Sequence, residues 1–88
     1  MNNPIVLVDV LKEQERQTKK WGIRDHEPLS WLAILVEEVG EVAEAILIAQ
    51  SVDGEENGGL EEVREEAIHV AAVAITFVEC LDRRAIIP

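Results

Sequence analysis

The stretch LSWLAILVEEVGEVAEAILIA, residues 29–49, decides the fold. Its apolar residues do not alternate with period two, and it is rich in the good helix formers alanine, leucine and glutamate. A helix advances about 100° per residue. That rotation places Glu37, Glu38, Glu41 and Glu44 within one arc of roughly 120°. Trp31 and Ile34 fall on the same side, one to two turns earlier. Almost every other position is apolar: Leu32, Ala33, Leu35, Val36, Val39, Val42, Ala43, Ile46 and Leu47. A helix that is apolar over most of its circumference is buried on more than one side. This is also the longest apolar stretch of the chain, but its four carboxylates make it a poor membrane span.

The pattern extends in both directions from this segment. Pro28 suits the first turn of the helix, where a missing N–H costs nothing. The helix is expected to run to about Ser51. Asp53-Gly54-Glu55-Glu56-Asn57-Gly58-Gly59 is a polar turn with three glycines. A further helix is predicted from about Leu60 to Asp82, with Arg83–Pro88 as a short tail. On it Glu62, Glu65, Glu66, His69, Val73 and Thr76 share one face, and Val63, Ala67, Val70, Ala71, Ala74, Ile75, Val78 and Leu81 cover the rest. Upstream, a first helix is expected from about Ile5 to Lys20, ended by Trp21-Gly22, where glycine can adopt the left-handed conformation that stops a helix. Ile23–Glu27 reads as a loop. Short loops between long helices imply antiparallel neighbours. The fold class is therefore all-α: a helical hairpin with the first helix packed across it.

The 88 residues suit a single domain, residues 1–88. A chain of this size buries only about 60–65% of its unfolded surface. The apolar content exceeds what so small a monomer can hide, and the two-sided apolar helices imply a homodimer or homotetramer that completes a helical bundle. The net charge of −10, from 18 acidic against 8 basic residues, argues against a nucleic-acid polymer as partner and against an anionic membrane surface. Cys80 is the only cysteine, so no internal disulfide forms and a reducing cytoplasm fits. Ile5–Val8 is interrupted by Asp9 and is not preceded by a basic segment, unlike a signal peptide.

The sharpest feature is a matched spacing. Glu38 and Glu41 are i, i+3 on one helix, and Glu66 and His69 are i, i+3 on the other. Residues so spaced stand one above the other. Two such pairs facing each other would surround one or two cations, as in metal-binding helical bundles. Without a cation, so many carboxylates in a partly apolar cleft repel one another. Glu44, Glu61, Glu62 and Glu65 read as a solvated face. His69 reads either as a satisfied core or interface histidine or as a ligand.

These residues resemble a known family. Glu37-Glu38-Val39-Gly40-Glu41 is similar to the Glu-Glu-x-x-Glu motif of the MazG-like, all-α nucleoside triphosphate pyrophosphohydrolases, a superfamily that also includes dimeric dUTPases and phosphoribosyl-ATP pyrophosphohydrolase. The family's second motif, Glu-x-x-Asp on a later helix, corresponds to Glu66-Ala67-Ile68-His69. The interval between the motifs fits, and Lys20-Trp21-Gly22 followed by Trp31-Leu32-Ala33-Ile34-Leu35 resembles the small single-domain members. The resemblance spans roughly Lys12 to Arg84.

The resemblance implies conversion of a nucleoside triphosphate to the monophosphate and pyrophosphate, with Mg2+ or Mn2+ as cofactor. Glu38, Glu41 and Glu66 carry over as metal ligands, and Glu37 as a supporting or water-positioning carboxylate. Glu37 or Glu38 would orient the attacking water or accept its proton. The family's aspartate is His69 here. A neutral imidazole removes one negative charge, and it either weakens magnesium binding, shifts preference towards manganese or another transition metal, or stands aside.

No P-loop and no serine or cysteine nucleophile beside a base is present. Trp31 would stack on a base or serve as a core aromatic. Trp21 would line the same cleft or join the core. Lys20 belongs to a basic stripe with Lys12, Arg16 and Lys19 that balances phosphates or pairs with the acidic helices. Arg24 and His26, in the loop, are phosphate or base contacts by position. The competing reading is a non-catalytic nucleotide- or metal-binding protein, or a helical interaction protein, that keeps the fold.

Overall fold

The computed structural model describes residues 3–55 and 58–86. It contains three helices, α1 (Pro4–Trp21), α2 (Pro28–Ala49) and α3 (Gly59–Ile86), and no strand among the described residues. Each boundary has a local cause. Asn3 caps α1, its side-chain oxygen accepting from the Ile5 N–H at 2.9 Å, and Pro4 fills the first turn. Gly22, at φ 75°, ends α1 and donates its N–H to the Thr18 carbonyl at 2.7 Å. Pro28 opens α2 as expected. In the following turn a Cβ at Gly54 would overlap the Ala49 carbonyl, so only glycine fits. Glu56 and Asn57 of that turn, and Ile87 and Pro88 of the expected tail, lie outside the described residues.

Two expectations are corrected. First, α3 does not stop at Asp82 but continues to Ile86. Arg83 and Arg84 sit in its last turn, where cations oppose the helix dipole. Both are also tied to the loop between α1 and α2: Arg83 donates to Asp25 Oδ1 at 2.7 Å and to the Arg24 carbonyl at 3.3 Å, and Arg84 to Glu27 Oε2 at 3.0 Å. Second, α1 does not lie across the hairpin. It packs on α3, and no Cα of α1 comes within 8 Å of one in α2.

The long helix α3 is therefore central. Residue pairs descend α2 as they ascend α3: Trp31 meets Phe77, and Glu41 and Ile48 share hollows with Glu66 and Glu62. That is an antiparallel hairpin. Pairs between α1 and α3 ascend together, from Asp9–Arg64 through Glu13–His69 to Gln14–Thr76, which makes α1 parallel to α3.

The core is small and centres on Trp31, Val73 and Cys80, with Ile34, Leu35 and Phe77 against it. Trp31 is fully buried; its ring stacks on Phe77 with centroids 5.6 Å apart and meets the edge of His26 at 4.9 Å. Much apolar surface remains outside. Leu29, Leu32, Val36, Val39 and Ile46 are all exposed on α2 and repeat at alternating spacings of three and four or their sum. The chain exposes 6507 Å², against about 5200 Å² for a compact monomer of its mass. Its radius of gyration is 14.9 Å, against about 12 Å for a compact 88-residue domain. No helix among the described residues is long and apolar enough to cross a membrane.

Because Trp31 anchors the core, Trp31→Ala is expected to destabilise the protein by roughly 3–5 kcal/mol. Trp21→Ala, on an exposed side chain, is expected to stay within about 0.5 kcal/mol. Urea unfolding of both variants checks this; equal losses would contradict the assignment of Trp31 as the anchor.

Candidate metal centre

The four residues matched by spacing converge. Glu38 and Glu41 from α2 and Glu66 and His69 from α3 each offer one ligand atom, and these atoms lie within 4.8 Å of one another. Antiparallel packing turns the two i, i+3 pairs towards each other. Glu38, Glu66 and His69 are partly buried and Glu41 is exposed. Glu37 is exposed, is not one of the four, and acts on them through its charge beside Glu38.

Burial is the main force on these carboxyls. It raises the pKa of Glu38, and the neighbouring Glu41 charge raises it further. Burial and Glu41 likewise raise Glu66. Glu66 Oε2 is buried with no hydrogen-bond partner. A buried carboxylate oxygen that accepts no hydrogen bond is costly, and a divalent cation would relieve it. Three carboxylates and an imidazole form a donor set that fits magnesium poorly and manganese or a later transition metal better, since the imidazole replaces a hard oxygen.

The cluster lies in a cleft of about 240 Å³. Its floor is α3, with Glu66, His69 and Val73. One wall is α2, with Ile34, Glu38 and Glu41; the other is α1, with Arg16, Gln17, Lys20 and Trp21, and Arg24 follows from the loop. Acidic groups thus face basic ones across a narrow gap. A second, acidic hollow of about 310 Å³ adjoins it, where Glu44 and Glu62 join Glu41 and Glu66. A larger hollow, about 590 Å³, lies between α1 and α3 on the far side of His69 and shares Glu13, Arg16 and His69 with the cluster's surroundings.

The expected substrate contacts divide. Lys20, Trp21 and Arg24 line the cleft. Trp31 does not: it is a core residue, sealed by Phe77 and His26, and cannot present a face to a base. His26 packs edge-on against Trp31 and also lies outside the cleft lining. Trp21 is 58% exposed, with the Lys20 ammonium 4.8 Å from its ring. Of the two alternatives expected for each tryptophan, Trp31 takes the core and Trp21 the cleft. Both Trp31 and the acidic arc lie on the face of α2 that meets α3, and period alone does not tell which end is sealed.

The sequence reading passed over Glu13 and Gln17. Gln17 is 6% exposed, and its Oε1 has no partner although the residue lines the cleft. Glu13 Oε2 stands 3.6 Å from His69 Nε2. The available signal was their spacing from Val10, i+3 and i+7, which puts two polar residues on the buried stripe of α1.

No family model, curated protein or solved structure matches the chain.

The raised carboxyls give a signed prediction. Their folded pKa values exceed the ordinary 4.5. As pH falls through those raised values the folded state takes up protons first and gains stability, a gain complete below the unfolded value. Glu13 and Asp25 are lowered, mainly by hydrogen bonds from Arg16 and Arg83 respectively, so their contribution is lost on further acidification. Metal-free protein should therefore show a Tm that rises as pH falls from neutral through the raised values of Glu38 and Glu66, and then falls as Glu13 and Asp25 take up protons. Glu66→Gln should raise the metal-free Tm near neutral pH by about 4–8 °C, the equivalent of about 1 kcal/mol, and flatten the rise. Calorimetry in chelator checks both, and a lower Tm for the variant would count against repulsion at the site.

Proposed function

We propose that this protein is a metal-dependent nucleoside triphosphate pyrophosphohydrolase of the MazG-like kind, converting an NTP or dNTP to the monophosphate and pyrophosphate. The observation that carries the reading is the convergence of the Glu38, Glu41, Glu66 and His69 ligand atoms within 4.8 Å, opposite Arg16, Lys20 and Arg24 in one cleft. Acidic groups that hold a cation beside basic groups that hold phosphates are what phosphoryl chemistry requires.

Glu38, Glu41, Glu66 and His69 would hold the ion, Mn2+ in preference to Mg2+ given the imidazole in the donor set. When bound, it neutralises phosphate charge and makes water a better nucleophile. Glu37 or Glu38 would orient the water or accept its proton, and burial raises the proton affinity of Glu38. Glu37 supports it by adjacent charge. Lys20 and Arg24 bind the phosphate chain from the opposite wall. A cleft of about 240 Å³ is below the range of about 300–1,000 Å³ usual for ligand pockets. The base therefore lies at the rim, where Trp21 offers an open aromatic face. A second copy of the chain covers the exposed apolar stripe on α2, giving a homodimer or homotetramer. The buried lone thiol of Cys80 fits the cytoplasm.

The deciding assay is pyrophosphate release from a panel of ribo- and deoxyribonucleoside triphosphates, with magnesium and with manganese. Glu38→Gln and Glu41→Gln are each expected to lower turnover by about 10²–10⁴-fold, and chelator to abolish it. If folded protein turns over no nucleotide but is stabilised by the metal, the non-catalytic reading replaces this one; His69 is the feature that favours it.

The subunit contact is tested separately. Sedimentation at micromolar concentration should show a dimer or larger species, and Val36→Glu, placing a charge in the exposed stripe, should shift it to monomer. A stable wild-type monomer would overturn the assembly.

A further inference from the structure

We infer that Glu13, on α1, is a positioning residue for His69: it holds the imidazole as the Nε2–H tautomer and leaves Nδ1 to the cation, which biases the centre towards imidazole-preferring transition metals over magnesium. This rests on the reading of Glu38, Glu41, Glu66 and His69 as a cation site.

His69 stands between two carboxylates. Its Nδ1 is 3.5 Å from Glu66 Oε2, on the side of the cluster, and its Nε2 is 3.6 Å from Glu13 Oε2, on the side of α1. An imidazole that ligates a metal through one nitrogen commonly donates its other N–H to a carboxylate, which fixes the tautomer and makes the ligand nitrogen more basic. Glu13 stands on that side of the ring, at an ion-pair separation of 3.6 Å rather than in a formed hydrogen bond.

The Glu13 carboxylate is itself immobilised. Arg16 grips it with a fork, Nε to Oε1 at 2.8 Å and Nη2 to Oε2 at 2.7 Å. Gln17 Nε2 donates to Oε2 at 2.9 Å. The Glu13 side chain is only 10% exposed. A fourth carboxylate so near Glu38, Glu41 and Glu66 adds repulsion, and Glu13 is among the charges that disfavour ionised Glu38. A role confined to pairing with Arg16 would be met as well in solvent, away from the cluster.

A second observation points to a ligand independently. Gln17 is more than nine-tenths buried, it lines the cleft that holds the cluster, and its Oε1 has no partner. Its amide N–H is committed to Glu13, and the buried oxygen is left without a donor beside the cluster. Glu13, Arg16 and Gln17 thus make α1 part of the centre, although the cluster's four ligands all come from α2 and α3.

The test is calorimetric titration of the full chain with Co2+ and with Mg2+ as the only probes. Glu13→Gln is expected to weaken Co2+ binding by about 10–100-fold, the usual effect of losing such an outer partner, and to leave Mg2+ binding nearly unchanged. In a His69→Asn background the Glu13→Gln effect on Co2+ should vanish. If Glu13→Gln weakens both ions equally, or its effect persists without His69, Glu13 is merely structural and the inference is overturned while the cation site stands. Binding of neither ion by the folded wild type would overturn the site and the inference together.

Discussion

The stacking of Trp31 on Phe77 is the contact on which the rest of the structure depends. It joins the fully buried Trp31 of α2 to Phe77 of α3 in a small core, and so pins the register of the two helices. About two to three turns along α2 from Trp31, and as far back along α3 from Phe77, the register delivers Glu38 and Glu41 opposite Glu66 and His69. A slip of one residue would rotate a helix face by about 100° and scatter the four ligands. The aromatic pair and the acidic cluster are thus two ends of one interface. One end supplies the free energy and the other is where that free energy is opposed.

The opposition is electrostatic. Burial and mutual repulsion work against ionised Glu38 and Glu66, whereas Glu13 is held ionised by the Arg16 fork. Carboxylates at similar depth are therefore driven in opposite directions by their partners. The strained pair faces the cleft and the satisfied one stands behind His69. A cation held between the raised carboxyls would relieve that repulsion and stabilise the fold by mass action.

Because α1 and α2 meet only through α3, the cleft between them is a consequence of topology rather than of a missing side chain. Its floor is fixed by the hairpin core. Its α1 wall is fixed by polar links to α3, from Asp9–Arg64 to Gln14–Glu79. The arginines at the end of α3 hold the loop that carries Arg24, so the basic rim of the cleft and the acidic floor are tied to the same helix. The apolar stripe of α2 lies on its outer face, which leaves the cleft open when that stripe is covered.

The sequence by itself determined the three helices, their breaks at Gly22, Pro28 and Gly54–Gly59, and the pairing of Glu38 and Glu41 with Glu66 and His69. These are local or periodic properties: a cap, a fixed φ and a 3.6-residue repeat act within a few residues and leave a direct trace in the order of side chains. Only the tertiary structure decided which tryptophan is buried, that α1 lies parallel to α3, that Arg83 and Arg84 extend α3 and clasp the loop, and that Glu13 and Gln17 stand beside the cluster. Each of these depends on the direction in which one helix meets another. A periodic pattern shows which faces are apolar but not which partner each face will meet, because hydrophobic burial is non-directional and the choice is made by packing across the whole chain.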